Sequence, residues 1–425
     1  MHTDYYDYII IGTGISGLYS AYLIKKKNPT SSILILDKEK KEWIGGRTQN
    51  EEFYNTTIVT GAGVARKNKD KLLFKLIKEL NINNIHESIA QTNFANTIKH
   101  PVNILKIINE LKKHYNKLKI KPNITFKEFA KPILGKELYK YFTICTGYTD
   151  YEKEDVYEVL FNYGMDDNIP GWKLIMVPWK ELILKLVNFI GSNNIKSLHN
   201  VIEIKKIENE PYLFECICEN KSYFAKNIII ATTISSVLKL LPNFPMYNHI
   251  KGQPFLRVYG KFTKTSSNIL KQFVTCRTIV PSALHSIIPM KNDVYMIAYT
   301  DNDDAIMLKD YIKNNVKNRK VFVDLLEKSL GIEHNTLDLI AIKGFYWPIG
   351  THYFEPFNNN KIINNKIINN KIINNKNFLK VAQNPCKGIF VVGEMVSTQQ
   401  GWVEGALESV NVIKSKFELR YMNKS

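Results

Sequence analysis

Short apolar runs alternate with amphipathic stretches along this chain, and that rhythm predicts most of its elements. The run Tyr8 to Ile11 leads into Gly12, Gly14 and Gly17, and Leu18 to Ile24 then repeats its apolar positions as one side of a helix does. The order is strand, tight turn, helix. A second run, SILILDK, ends at Asp37, and a third stops at Gly61, Ala62 and Gly63 before the amphipathic segment Leu72 to Leu80. Between residues 122 and 192, TFKEFAKPILGKELYKYF and VPWKELILKLVNFI read as amphipathic helices, whereas FLRVYGKF and DVYMIAYT, between 250 and 300, alternate as strands do. Near the end, GIFVVGE is strand-like and QQGWVEGALES opens a helix.

The glycines give the first of these junctions a chemistry. Gly12 permits the turn, Gly14 lets the backbone approach a pyrophosphate, Gly17 allows helix and strand to pack closely, and the helix presents its positive end to the phosphates. Asp37 follows Gly17 by twenty residues, where a carboxylate accepts hydrogen bonds from a ribose diol. This predicts a dinucleotide site and leaves NAD and FAD open. Downstream, EWIGGRTQN offers a flexible backbone at Gly45 and Gly46 and a fixed cationic fork at Arg47, suited to a second approach to the pyrophosphate. The small residues Gly61, Ala62 and Gly63 let a flat ring system lie against the backbone.

Composition narrows the setting. A chain of 425 residues, 44% hydrophobic, has the material for two or three domains with substantial cores. The start, MHTDYYDYIIIGTGISG, has neither the pattern of a signal peptide nor the length of a membrane span, and no later run reaches about 18 apolar residues, so the chain reads as soluble and cytoplasmic, with no membrane partner. Five cysteines without a CxxC pair suit a reducing compartment and no zinc site, and no metal is expected. The net charge of +18 raises a polyanion partner, but lysine, asparagine and isoleucine are abundant throughout, so we read a dispersed basic surface and expect no nucleic-acid role. The extreme of this bias, KIINNKIINNKIINNK at 361–376, is expected to be a low-complexity loop insertion.

In their order and spacing, GTGISG, IGGRT, TGAGVA, NVIEIKKIE with IIIATT, and GEMVSTQQGWVEGALES resemble the flavin-containing amine oxidase family, which includes the monoamine and polyamine oxidases and is related to protoporphyrinogen oxidase. The resemblance implies an α/β fold: a Rossmann-type FAD-binding domain built from residues 1–85, 195–240 and 377–425, and an α+β substrate domain, a mixed sheet with a helical cap, from 86–194 and 241–360. It implies that Gly12, Gly14, Ser16 and Gly17 hold the FAD pyrophosphate, with Gly46 and Arg47 on the phosphates. Asp37, where the family more often has glutamate, would take the adenosine ribose, Val201 the adenine through its backbone, and Gly393 with Glu394 the ribityl chain. Gly61, Ala62 and Gly63 would lie along the ring, and a helix beginning near Trp402 and Val403 would aim its N-terminus at the pyrimidine edge.

The implied reaction is oxidation of an amine C–N bond by hydride transfer to flavin N5, with oxygen as acceptor. Trp402, His352 and Tyr353 are candidates for the aromatic pocket over the flavin, and Arg257 falls where many members have a lysine near N5. Thr351 stands where members with covalent flavin have cysteine, so FAD is expected to be non-covalent. A protoporphyrinogen-oxidase-like or desaturase-like enzyme, a flavin-dependent mutase and a flavoprotein without turnover that acts as a binding component stand as alternatives. The sequence does not indicate an oligomeric state.

Overall fold

The computed structural model describes residues 5–165, 170–207, 214–357 and 375–418. Its first strand, Tyr5–Ile11, is central in a seven-stranded sheet, the position a continuous apolar run requires when both faces are covered. Ile33–Leu36 pairs with it in parallel on one side and Ser222–Ile230 on the other, and Ile389–Val391 pairs in parallel with the end of Ser222–Ile230. In register, Ile11, Leu36, Ile230 and Val391 therefore finish at one edge of the sheet. Val201–Lys206 and Phe214–Cys218 extend the sheet with antiparallel pairing, and Ile195–Lys196 closes its other side.

The helix Ile15–Lys27 packs between Val403–Glu418 and Trp179–Ile190. Trp179, Leu182, Leu186, Leu407 and Val410 share its core. Trp179–Ile190, within the span 86–194 expected on the substrate side, buries its apolar face against the Rossmann unit. Periodicity shows that a helix has an apolar face but not what that face meets.

The second sheet has six strands, in the order Leu339–Phe354, Ile250–Phe262, Val294–Asp301, Ser286–Pro289, Arg277–Ile279 and Thr92–Phe94. Its pairs are antiparallel except the last, which is parallel. Beside it, Ile104–Lys117, Phe126–Leu134, Lys136–Thr146 and Val156–Phe161 close round Phe126, Phe142 and Tyr151. Three of these helices begin on side-chain caps, Asn103 accepting from the Lys106 amide, Thr125 in a capping box with Glu128, and Asp155 accepting from the Tyr157 and Glu158 amides. The fold is thus a Rossmann-type α/β unit drawn from discontinuous segments and joined to a unit of mixed sheet and helices. Of the insertion expected at 361–376, residues 361–374 lie outside the described residues, and Asn375 and Lys376 open the helix Asn375–Ala382. Among the described residues no helix is long and apolar enough to cross a membrane.

Candidate cofactor and substrate cavity

The edge at which the four parallel strands finish opens into a cavity of about 2220 Å³ that continues to the second sheet. Small-molecule sites commonly hold about 300 to 1,000 Å³, so this one has room for a dinucleotide beside a smaller molecule. Gly12, Gly14, Ser16, Asp37, Gly46, Arg47, Gly61, Ala62, Gly63, Val201, Gly393, Glu394, Trp402 and Val403 all line it, as do Arg257 and His352. Gly17 and Tyr353 do not. A Cβ on Gly17 would lie 2.1 Å from the Gly12 carbonyl oxygen, so this glycine serves the close packing of helix on turn and not contact with a ligand. Tyr353 follows His352 on one strand, where successive side chains take opposite faces, and it is buried away from the cavity with its hydroxyl pushed up to about 12 by that burial.

The glycine turn is tight. Gly12 has φ +106° and donates its amide to Leu36 O at 2.8 Å, and a Cβ there would sit 2.5 Å from Ala231 O. Gly14 starts the helix without a side-chain cap and no acidic residue occupies the first turn, so the first amides and the positive end of the dipole are left for a ligand. Asp37 ties the turn to the second strand: Oδ2 accepts from the Thr13 amide at 2.6 Å and from Thr13 Oγ1, and Oδ1 accepts from the Glu39 amide at 2.8 Å. A carboxylate has about four acceptor positions, so one on Oδ1 remains.

Glu394 is a second such junction. It follows Gly393, whose φ of +130° turns the chain out of the strand Ile389–Val391. Oε1 accepts from Arg47 Nη1 at 3.1 Å and from His352 Nδ1 at 2.5 Å, and Oε2 accepts from the Gly401 amide at 2.9 Å. Burial alone would push this carboxyl up, but His352, Arg47 and the Gly401 amide outweigh it and bring it down to about 2. His352 Nε2 in turn accepts from the Ile234 amide at 3.1 Å, which fixes the tautomer that donates to Glu394. Both ring nitrogens of His352 are therefore engaged, one by a backbone amide and one by Glu394.

The walls combine expected and unexpected residues. Trp402 is half-buried, donates Nε1 to Asp70 Oδ2 at 2.8 Å and lies under the Arg66 guanidinium, while Asp70, fully buried, pairs with Arg66 at 2.6 Å. Trp347 donates Nε1 to Thr60 O at 2.7 Å and meets Trp43 edge-on. Arg257 is buried over the Tyr299 ring. Arg277, Tyr148, Tyr299 and Asp150 also line the cavity, and sequence reasoning missed them because GYTD and TCRT carry no local pattern. Among the described residues one acidic and histidine group has ligand-like spacing, Asp324, Glu327 and His334, but it does not line the cavity, and Glu327 is occupied in accepting from the Asn335, Thr336 and Leu337 amides.

Residues 10–80 match the NAD(P)-binding Rossmann-like domain family. An uncharacterized protein of Acanthamoeba polyphaga mimivirus, R188, is 20% identical across 97% of this chain and 93% of its own length. A redesigned putrescine oxidase superposes with a TM-score of 0.73 at 12% identity, over 98% of this chain and 99% of that one. The cyclohexylamine oxidase of Brevibacterium oxydans also gives 0.73, at 15% identity over 97% and 99%. These likenesses establish a shared fold across nearly the whole chain.

Proposed function

We propose that this chain is an FAD-dependent oxidoreductase that oxidises the C–N bond of an amine, with dioxygen as second substrate. One observation carries the reading: a single cavity joins an uncapped helix and a glycine-paved sheet edge to an aromatic and cationic chamber on a second sheet. Putrescine oxidase and cyclohexylamine oxidase, which share the fold, are amine oxidases by name and favour an amine as substrate.

The residues fit FAD. Gly12 and Gly14 admit the pyrophosphate to the backbone, and the open amides of Ile15–Lys27 offset its charge. Asp37 and Glu394 each keep one acceptor position for a hydroxyl of the ribose and the ribityl chain. Arg47 neutralises Glu394 and keeps further donors for phosphate. Val201 offers its backbone to the adenine. Gly61, Ala62 and Gly63 would hold the ring, and the helix Val403–Glu418, whose first residue lines the cavity, would offer its positive end to the negative charge of the reduced group. Bound there without a covalent link, FAD supplies a two-electron acceptor for the hydride leaving the substrate carbon. Trp402 and Trp347, each held by its indole hydrogen bond, wall the substrate so that its C–N bond faces the ring, and they exclude water. Arg257 keeps a fixed positive charge at the chamber. We assign 1–85, 195–240 and 377–425 to the cofactor domain, add Trp179–Ile190 to it, and assign the rest of 86–194 and 241–360 to the substrate domain.

The test is a spectrum and a titration. The purified protein is expected to be yellow, to release intact FAD on acid precipitation, and to bleach anaerobically with members of an amine panel as ammonia or a smaller amine appears. NAD without flavin would overturn the assignment. Flavin retained in the pellet would refute non-covalent binding, and bleaching without release of nitrogen would point to C–C desaturation.

A further inference from the structure

We infer that the substrate chamber contains an anion subsite, formed by Arg257 and Arg277 on the Tyr299–Tyr148 pair, that takes a carboxylate of the substrate. The inference rests on the proposed function and narrows it to amines that also carry a carboxylate.

The two rings touch edge to face, with centroids 5.4 Å apart and planes at 86°. The Arg257 guanidinium carbon lies 4.2 Å from the centre of Tyr299 and that of Arg277 lies 4.9 Å from the centre of Tyr148. Stacking occupies the face of a guanidinium and leaves its in-plane N–H donors for an acceptor. Two glycines make room for the pair: a Cβ on Gly63 would lie 3.4 Å from Arg257 Nη2, and one on Gly147 only 2.9 Å from Arg277 Nη2. All four of these side chains line the cavity.

Neither cation is balanced. Arg257 is 6% exposed, yet among the described residues no carboxylate comes within 4.0 Å of either guanidinium. Arg277 buries Nε and Nη2 with no hydrogen-bond partner at all. Buried charges are normally paired and buried donors normally satisfied, so a buried Arg257 without a carboxylate and a half-buried Arg277 with unsatisfied donors, both lining one chamber, point to a partner that arrives with the ligand. Asp150 lines the same chamber, but it lies beyond 4.0 Å of either guanidinium, and burial and the nearby Asp301 carboxylate push its carboxyl up, towards the neutral form. A simple alkylamine would bring a third positive charge to this place. A carboxylate matches the planar donor fork of a guanidinium.

The experiment compares benzoate with benzyl alcohol, near-isosteric probes that differ in charge, by calorimetry on the flavin-loaded protein. Benzoate is expected to bind at least tenfold more tightly. Arg277→Met should reduce benzoate affinity about tenfold and leave benzyl alcohol unchanged, and Arg277→Lys should restore part of the loss. Equal binding of both probes to the native protein would overturn the subsite, as would a preference that survives intact in both Arg277→Met and Arg257→Met. If Arg257→Met fails to fold, the native protein and Arg277→Met decide the matter. Heat of binding is independent of turnover. A benzoate preference in protein that no amine bleaches supports the subsite while sinking amine oxidation, and bleaching without the preference does the reverse.

Discussion

Glu394 shows how much chemistry one residue concentrates. Its carboxylate accepts from Arg47, His352 and Gly401, which belong to three separate parts of the chain. The folded group sits at about 2 against an ordinary value of 4.5, so it contributes stability that is fully present above pH 4.5 and is lost as pH falls through 2. The contribution is on the order of 3 kcal/mol. Glu394→Gln should therefore melt at a lower temperature than the native protein at pH 7, and the gap should narrow as pH is lowered from 5 towards 2. Melting curves across that range check it; a gap that does not change with pH would show that the carboxylate charge contributes nothing. At this scale the sequence exposed Glu394 and Arg47 because each stands beside glycines. It did not expose the bond between them, since contacts across 347 residues leave no local trace.

Among the elements, Val403–Glu418 depends on the closeness of its approach. A Cβ on Gly405 would lie 2.0 Å from the Gln399 carbonyl oxygen and 2.4 Å from Ser397 Oγ, and Ser397 is itself tied to Glu394 O at 2.9 Å. Glu404, in the same first turn, accepts from the Leu72 and Leu73 amides and so caps the helix Lys71–Glu79. Gly405→Ala cannot be absorbed by a side-chain rotation alone, because the nearest atom belongs to the backbone. It should cost at least about 2 kcal/mol, a fall of several degrees in melting temperature, and should lower FAD content as Glu394 shifts. A variant with native melting temperature and full flavin would mean that the helix start has slack. The helix itself was legible from GWVEGALES, but its seat on Lys71–Glu79 was not, because helical periodicity does not name the neighbour.

Across the whole molecule, one core runs from the Rossmann sheet into the second sheet, with Ile10 and Ile35 in the same cluster as Tyr259, Met296 and Phe345. Cofactor edge and substrate chamber therefore share their packing. Residues 361–374 repeat lysine, isoleucine and asparagine and stand in the sequence between the strand Leu339–Phe354 and the helix Asn375–Ala382. Replacing them with a short polar turn should leave FAD content and melting temperature almost unchanged, since the closure entropy of a loop varies slowly with its length. A loss of several degrees would show that the repeat packs on the fold.

By itself the sequence determined what depends on neighbouring residues: strand, glycine turn and helix at residues 8–24, the small-residue turn at 61–63, and the carboxylates Asp37 and Glu394 at the ends of strands. These follow from backbone freedom, side-chain period and burial, which act over a few residues. Only the tertiary structure decided that Trp179–Ile190 belongs to the Rossmann core, that His352 spends both nitrogens on Ile234 and Glu394, that Tyr353 faces away, and that Arg257 and Arg277 meet over Tyr299 and Tyr148. The physical reason is common to all of them. A packed interior brings together residues tens to hundreds of positions apart, and which face, donor or cation finds a partner is settled by that assembly and not by any local pattern.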